Sequence, residues 1–107
     1  MLTDARPCPR FDVPAPDVTD ATVTAALLAD GTRAGILALL RDGPHCVCEM
    51  AATFGERENN VSNHLTKLRN AGLVRASRHG ADARLVYYER DEEAIEAART
   101  ALLGILG

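Results

Sequence analysis

The chain has 107 residues, of which 47% are hydrophobic and 25% are charged, and it carries three cysteines and a net charge of -3. These values are typical of one small globular domain and leave no room for a second. Because no apolar run approaches the roughly 20 residues that span a bilayer, and no signal-peptide pattern opens the chain, we expect a cytoplasmic protein with no membrane partner and free thiols.

A proline-rich arm precedes the first predicted helix. Four of the five prolines fall within the first 16 residues and block regular structure there. We therefore predict a flexible N-terminal arm over residues 1–16, which includes Cys8, and a single domain over residues 17–107. The domain begins with a helix that Asp17 or Thr19 can cap.

Two helices open the predicted domain. The second begins at Asp30, a residue type that favours helix N-termini, and Gly43-Pro44 ends it. Apolar residues at helical spacing give the first helix an apolar face and give the second helix its predicted core residues. These residues are Val23, Leu27 and Leu28 in the first helix and Ile36, Leu37, Leu39 and Leu40 in the second.

The segment His45-Cys46-Val47-Cys48 places two thiols one residue apart, where the chain enters a third helix. Thiolates bind soft and borderline metal ions, and a helix N-terminus favours the thiolate form. Because two ligands rarely suffice, Cys8 on the arm is the predicted third ligand and His45 is a candidate fourth. The alternative is that Cys46 and Cys48 are small buried hydrophobic residues and that Cys8 is incidental.

A helix-turn-helix pattern follows the thiol pair. Residues 48–54 predict a short helix, residues 55–57 predict a tight turn, and the next helix ends before Gly72. Polar side chains around this second helix can reach base edges and phosphates, although an ordinary amphipathic surface helix has a similar pattern. The predicted DNA-contacting residues of the helix are Asn59, Asn60, Ser62, Asn63, His64, Lys67 and Arg69. For His64, a hydrogen bond between helices is the alternative role.

A β-hairpin wing is predicted beyond that helix. Strand-like runs at residues 74–79 and 84–89 flank a short turn. Arg78, His79 and Arg84 lie at or near the predicted tip, where cationic side chains can contact the DNA backbone or minor groove. The predicted fold class is therefore mainly α with a small β-hairpin wing, which is a winged helix-turn-helix.

The last predicted helix starts near Asp91 and carries an apolar stripe to the C-terminus. The stripe consists of Ile95, Ala98, Leu102, Ile105 and Leu106. At helical spacing such a stripe is more often a packing surface than a ligand site. Because apolar stripes lie at both ends of a short chain, we expect a homodimer that forms through the N- and C-terminal helices.

Positive charge is concentrated where DNA would bind. Residues 57–90 hold seven basic and three acidic side chains, a net charge of +4, whereas residues 1–56 and 91–107 carry net charges of -4 and -3. The acidic flanks should penalise other binding orientations. The distribution therefore predicts sequence-selective binding to double-stranded DNA.

The chain resembles the ArsR/SmtB family of winged-helix metalloregulators over about residues 20–106. The segments that carry the resemblance are LLADGTRAGILALL at 27–40, CVCEMA at 46–51, VSNHLTKLRNAGLV at 61–74 and LVYY at 85–88. The resemblance implies a homodimeric repressor that binds operator DNA and is released when a toxic metal ion binds. Arg57, Glu58 and Asn59 depart from the Ser, Gln and Pro that family members often have there, so the operator sequence stays open.

The resemblance also implies a set of metal ligands. Cys46 and Cys48 match the cysteine pair of the arsenic- and cadmium-sensing branches, whereas Ala51 stands where one arsenic-sensing arrangement has its third cysteine. In a CadC-like arrangement a cysteine from the arm joins the pair, and Cys8 would fill that role. The last helix lacks the histidines of the family's zinc-sensing site, so that site is predicted to be absent.

The predicted function is a metal-responsive repressor, not an enzyme, with no catalytic cofactor. Three sulfur ligands suit As(III), Sb(III) or Pb(II), whereas Cd(II) or Zn(II) would need a fourth donor such as His45. On the Cys8 arrangement alone, Cd(II) and Pb(II) are predicted as inducers slightly ahead of arsenite. One alternative is a thiol-redox-sensing repressor of the same fold, although a disulfide across one residue would be strained. The other is a dithiol enzyme, for which the chain has no Cys-x-x-Cys motif, cofactor loop or acid–base constellation.

Overall fold

The computed structural model describes residues 12–107, so Cys8 and most of the predicted arm lie outside the described residues. Residues 12–18 are exposed and irregular. The helices are α1 (Thr19–Leu28), α2 (Gly31–Leu39), α3 (Val47–Phe54), α4 (Glu58–Asn70) and α5 (Glu92–Leu106), and the strands are β1 (His45–Cys46), β2 (Val74–Ser77) and β3 (Tyr87–Arg90). A 3-10 turn at Leu40–Asp42 extends α2. The mainly helical winged helix-turn-helix that the sequence predicts is confirmed.

Aspartate side chains cap the first turns of α2 and α5. The Asp30 carboxylate accepts the backbone N–H groups of Thr32 and Arg33 at 2.9 and 3.1 Å, which starts α2 where the sequence predicts it. Asp91 accepts the N–H of Ala94 in the same way and starts α5. The N-cap residue of α1 is Val18, without a side-chain cap bond, rather than the predicted Asp17 or Thr19, although Asp17 accepts the N–H of Thr19. Each carboxylate satisfies donors that have no partner inside the helix.

The core lies where α2, α3 and α4 meet the start of β2. Its buried members are Ile36, Leu37, Leu40, Met50, Ala51, Val61, Leu65, Leu68, Leu73 and Val74. Leu27, Leu28 and Leu39 pack partly buried against this cluster, as the sequence predicts. Val23, the other member of the predicted apolar face of the first helix, is 54% exposed in the single chain.

The sheet has a third strand that the sequence did not reveal. The strands lie in the order β1-β3-β2, and both pairs are antiparallel. Tyr87 in the central strand β3 pairs with Cys46 of β1 on one side and with Ser77 of β2 on the other. A strand of two residues has too few positions to show an alternating pattern, so only its pairing defines it. The strand brings the first thiol of the cysteine pair beside the wing.

The wing has a longer loop than predicted. Strand β3 starts at Tyr87 rather than at Arg84, because residues 82–85 form a turn in which Asp82 accepts the N–H groups of Arg84 and Leu85. Val86 is consequently 62% exposed despite its β-branched side chain. An aspartate that binds the backbone two residues ahead competes with strand formation.

Helix α5 packs along α1 and leaves an apolar surface uncovered. No residue of α5 is fully buried, and Leu103, Ile105 and Leu106 are exposed in this single chain. Leu28 and Leu102 are among the residues that line an open groove of about 390 Å³ between these two helices.

Within residues 12–107, no single helix has both the length and the apolar character needed to cross a membrane.

Candidate functional site

Helix α4 is held on the core by one face, which leaves its other face exposed. Gly55 ends α3 in the left-handed conformation with a φ of 62°, and the chain turns there into α4. Val61, Leu65 and Leu68 then bury the inner side of α4. Arg57 stands at the N-cap position without a side-chain cap bond, so its side chain satisfies none of the backbone N–H groups in the first turn of α4.

The outer face of α4 carries most of the DNA-contacting residues predicted from the sequence. The exposed members are Asn59, Asn60, Ser62, Asn63, Lys67 and Arg69. The Asn60 amide donates to Glu56 at 3.4 Å, which orients that side chain toward the preceding turn. Short polar groups near the N-terminus of the helix and cations near its C-terminus are chemically suited to base edges and phosphates respectively.

His64 differs from its neighbours on α4. Its side chain is 18% exposed, and Nδ1 lies 3.3 Å from the guanidinium of Arg33 while Nε2 lies 3.9 Å from Asp30. The structure therefore brings His64 against α2, which is the interhelix arrangement considered as the alternative from the sequence.

The wing presents its cations on the loop between β2 and β3. Arg78 and His79 are exposed there. Arg84 is exposed too, but Asp82 accepts its Nε and one terminal nitrogen at 3.1 and 2.9 Å. The Arg84 guanidinium holds the pKa of the Asp82 carboxyl below its usual range, and Asp82 in turn raises the pKa of Arg84. Arg84 therefore offers less unneutralised charge than the sequence suggests.

The two thiols are brought together at the start of α3. Cys46 is 2% exposed, Cys48 is exposed, and their sulfur atoms are 2.7 Å apart. Cys46 is also the N-cap residue of α3: its sulfur accepts the N–H of Glu49 at 3.4 Å, and the Glu49 carboxylate accepts the N–H of Cys46 at 2.9 Å. This reciprocal pair is a capping box in which a thiol replaces the usual hydroxyl.

Burial dominates the ionisation of Cys46. Loss of solvent, followed by the hydrogen bond with Cys48, raises the pKa of the Cys46 thiol from 9.0 to about 11, even though the N–H of Glu49 acts in the opposite direction. The backbone N–H at the start of α3 does favour the thiolate at Cys46, but the loss of solvent outweighs this effect. Cys46 must release a proton before it can bind a metal ion.

The described residues bring two sulfur atoms side by side. Within residues 12–107, no three His, Cys, Asp or Glu side chains are grouped so that they could hold a metal ion. The imidazole of His45 lies 3.6 Å from the carboxylate of Glu49. Cys8, the predicted third ligand, falls outside the described residues. A pair of thiols is chemically suited to a soft ion, and a third donor would have to come from beyond this segment.

A family model described as "Bacterial regulatory protein, arsR family" matches residues 30–76, which include the thiol pair and all of α4. The regulator KmtR of Mycobacterium tuberculosis is 36% identical to the chain over 93 residues, which are 87% of this chain and 67% of KmtR. The chain belongs to the ArsR family of bacterial regulatory proteins. This family is one of regulators rather than enzymes.

Other relatives match shorter segments. The regulator CmtR of Mycobacterium tuberculosis is 47% identical over 57 residues, which are 53% of this chain and 48% of CmtR, so the match spans about half of that relative. A cadmium resistance regulatory protein, the CadC homolog of Staphylococcus aureus, is 34% identical over 70 residues, 64% of this chain and 55% of that protein.

A solved structure supports the same fold. A protein described as a "possible transcriptional regulator for arsenical resistance" superposes with a TM-score of 0.68 at 29% identity, and the match covers 77% of this chain and 82% of that protein.

Sequence reasoning missed one group of polar contacts near α4. Arg33 contacts the end of α1 and His64 on α4, although its position three residues after Asp30 indicates only an ordinary helix residue. Helical periodicity shows which face a residue occupies but not which side chain of another helix lies opposite. No signal in the sequence alone identifies this partner.

Proposed function

We propose that this ArsR-family protein is a metal-responsive transcriptional repressor that binds operator DNA as a homodimer and is released when a thiophilic ion binds its cysteines. The observation that carries the proposal is the position of Cys46. This residue caps α3, the first helix of the helix-turn-helix, and also pairs with Tyr87 in the wing strand β3. A ligand that moves its sulfur acts on both DNA-binding elements at once.

The exposed face of α4 would enter the major groove. Asn59, Ser62 and Asn63 would reach base edges, while Lys67 and Arg69 would contact phosphates. In the wing, Arg78 and His79 carry the charge that would meet the adjacent backbone, since Arg84 is bonded to Asp82.

The proposed inducer is Cd(II) or Pb(II), with Zn(II), As(III) and Sb(III) as the other candidates. Cys46 and Cys48 would supply two sulfur ligands, and Cys8 would supply the third as in a CadC-like arrangement. His45 is the candidate fourth ligand for Cd(II), because it precedes the pair directly and its imidazole already lies beside Glu49. Both a cadmium resistance regulator and a structure described as a possible regulator for arsenical resistance resemble the chain, so the proposed order of metals rests on the CadC-like position of Cys8 alone.

Metal binding would weaken the local structure that orients α3. The sulfur of Cys46 now accepts the N–H of Glu49 from within the capping box. Coordination would use the lone pairs of that sulfur and would draw Cys48 and the third ligand toward the ion. The cap and the β1–β3 pairing would then change together, and the free energy of this change is the proposed coupling between metal and DNA binding.

The uncovered apolar surface of α1 and α5 is the proposed dimer interface. Val23 on α1 and Leu103, Ile105 and Leu106 on α5 are exposed in the single chain. A second copy would bury this surface, and the dimer would place two α4 helices on successive major grooves.

Two measurements test the proposal separately. Titrating reduced protein with Cd(II) or Pb(II) should produce sulfur-to-metal charge-transfer absorbance that Cys48→Ser weakens. Fluorescence anisotropy should show binding to a duplex from upstream of the gene, and Lys67→Ala should lower the slope of log affinity against log salt by about one. Absorbance without DNA binding would refute the repressor role, and DNA binding without absorbance would direct attention to oxidants instead.

A further inference from the structure

Three helices meet at the side chain of Arg33. Its Nε donates to the carbonyl of Leu27 at 2.8 Å and a terminal nitrogen lies 3.4 Å from the carbonyl of Ala26. Both carbonyls belong to the last turn of α1, where backbone acceptors have no partner within the helix. A guanidinium there satisfies these acceptors and interacts favourably with the helix dipole. Arg33, although it belongs to α2, therefore caps the C-terminus of α1.

The same guanidinium reaches α4. Its other terminal nitrogen lies 3.3 Å from Nδ1 of His64. Arginine has no acceptor atom, so the imidazole must accept at Nδ1 and carry its hydrogen on Nε2. That Nε2 lies 3.9 Å from the Asp30 carboxylate, which is itself fixed by two backbone N–H groups of α2. The ring of His64 is thus held between Arg33 and Asp30.

The contact turns His64 away from the surface that would meet DNA. Ser62, Asn63 and Lys67 on the same helix are exposed, whereas His64 is mostly covered by α2. A ring whose two nitrogens both face another helix offers no hydrogen-bonding atom to a base edge. His64 is suited to fixing the helix rather than to reading the groove.

We infer that Arg33 and His64 form a positioning pair that sets the angle of the recognition helix α4 relative to α1. The inference rests on the proposed DNA-binding function. Helix α1 packs on α5, so a rigid link from α1 to α4 connects the proposed dimer interface to the helix that would enter the groove. Because the guanidinium is planar and contacts both helices, it restricts their relative rotation, and such preorganisation raises affinity without adding a contact to DNA.

The inference predicts a specific pattern of operator affinities. His64→Leu and Arg33→Lys should each weaken operator binding by about tenfold, since a lysine ammonium cannot contact α1 and α4 at once. The variant that combines His64→Leu and Arg33→Lys should bind the operator no more weakly than the weaker-binding of the two single variants. Each substitution alone already breaks the link. His64→Asn should recover most of the affinity, since its amide oxygen can replace Nδ1 as the acceptor.

Base preference separates positioning from reading. Fluorescence anisotropy with the operator duplex and with a set of duplexes carrying single base-pair changes gives the preference as a ratio of affinities. We expect this ratio to stay within about twofold for the His64 and Arg33 variants and to fall clearly for Asn63→Ala, the matched control on the exposed face. A changed base preference in His64→Leu, or additive losses in the double variant, would overturn the inference.

The pair is also testable without DNA. Urea unfolding of the wild type, both single variants and the double variant measures the coupling between Arg33 and His64 directly. If no duplex binds the wild type, the proposed function fails, and coupling in this unfolding cycle would still support the link between helices. Independent, additive effects on unfolding would refute the link itself.

Discussion

Cys46 serves the fold and the proposed metal site with the same sulfur atom. The sulfur accepts the N–H of Glu49 at the start of α3, and its burial raises the pKa of the thiol to about 11. Cys48 follows two residues later and is exposed. The two thiols therefore differ in exposure, and we expect them to differ in reactivity, although the sequence presents them as an equivalent pair.

The first prediction concerns that difference. When reduced protein is treated with iodoacetamide near pH 7.5, Cys48 should be alkylated well before Cys46, because the reactive thiolate is scarce at Cys46 and its sulfur is covered. Raising the pH toward 11 should speed the reaction of Cys46 in the folded protein. Peptide mapping by mass spectrometry at several times measures both rates. Equal rates at pH 7.5 would show that Cys46 is neither covered nor held protonated.

The strands and helices show how far the sequence predicts this molecule. Capping aspartates and helical periodicity correctly predicted α2, α4 and α5, since these signals lie within a few residues of each other. The β1 strand and the contact of Arg33 with His64 could not be predicted, because each depends on a partner far along the chain. Cys46 and Cys48 were recognised as a pair, but the protonation of Cys46 follows from burial that only the fold supplies.

Within the wing, Gly80 lies directly against the ring of Tyr87. A Cβ atom at Gly80 would come within 2.0 Å of that ring, whereas a Cβ at Gly31, the first residue of α2, would meet nothing within 4 Å. Tyr87 is buried and pairs through its backbone with Cys46. The loop, the ring and the thiol strand therefore form one packed unit.

The second prediction uses this contrast between glycines. Gly80→Ala should destabilise the protein by about 1–3 kcal/mol, because the ring must leave its place or the loop must move. Gly31→Ala should be neutral or stabilising by up to about 1 kcal/mol, since alanine favours helix over glycine. Thermal unfolding of the two variants beside the wild type checks both. Equal changes in stability for the two variants would mean that Tyr87 does not pack on Gly80.

The third prediction concerns the connection between the thiols and β3. The chain has no tryptophan and two tyrosines, Tyr87 and Tyr88, which pair with Cys46 and His45. Tyrosine fluorescence therefore reports on β3 alone, and in Tyr88→Phe it reports on Tyr87. Adding Cd(II) should change this fluorescence in parallel with the charge-transfer absorbance, and Cys48→Ser should weaken both responses. Normal absorbance with unchanged fluorescence would contradict the proposed route through β1 and β3.

At the scale of the whole molecule, charge and apolar surface are segregated. The basic segment from 57 to 90 includes α4 and the wing, while α1 and α5 present the uncovered apolar side chains. Such a division suits a molecule that binds DNA through one surface and a second copy through the other. The acidic residues of the flanks would keep DNA away from the proposed dimer interface.

The fourth prediction is that the protein sediments as a homodimer. Leu103→Glu should shift the equilibrium toward monomer, because it places a charge in the apolar surface of α5. Leu85→Glu is the matched control, since Leu85 is also exposed but lies in the wing. Sedimentation equilibrium at several protein concentrations distinguishes the two variants. A monomeric wild type would exclude the homodimer. Equal shifts toward monomer in the two variants would show that the interface does not depend specifically on α5.

If metal and DNA oppose each other through the thiol pair, a metal ion must lower operator affinity and this loss must depend on Cys48. Operator affinity is measured by anisotropy with and without saturating Cd(II), for the wild type and for Cys48→Ser under reducing conditions. We predict that Cd(II) weakens wild-type binding by roughly 5- to 150-fold, a usual range for coupled sites, and has little effect on Cys48→Ser. Equal operator affinity of the wild type with and without Cd(II), Pb(II), Zn(II) and arsenite would contradict the account.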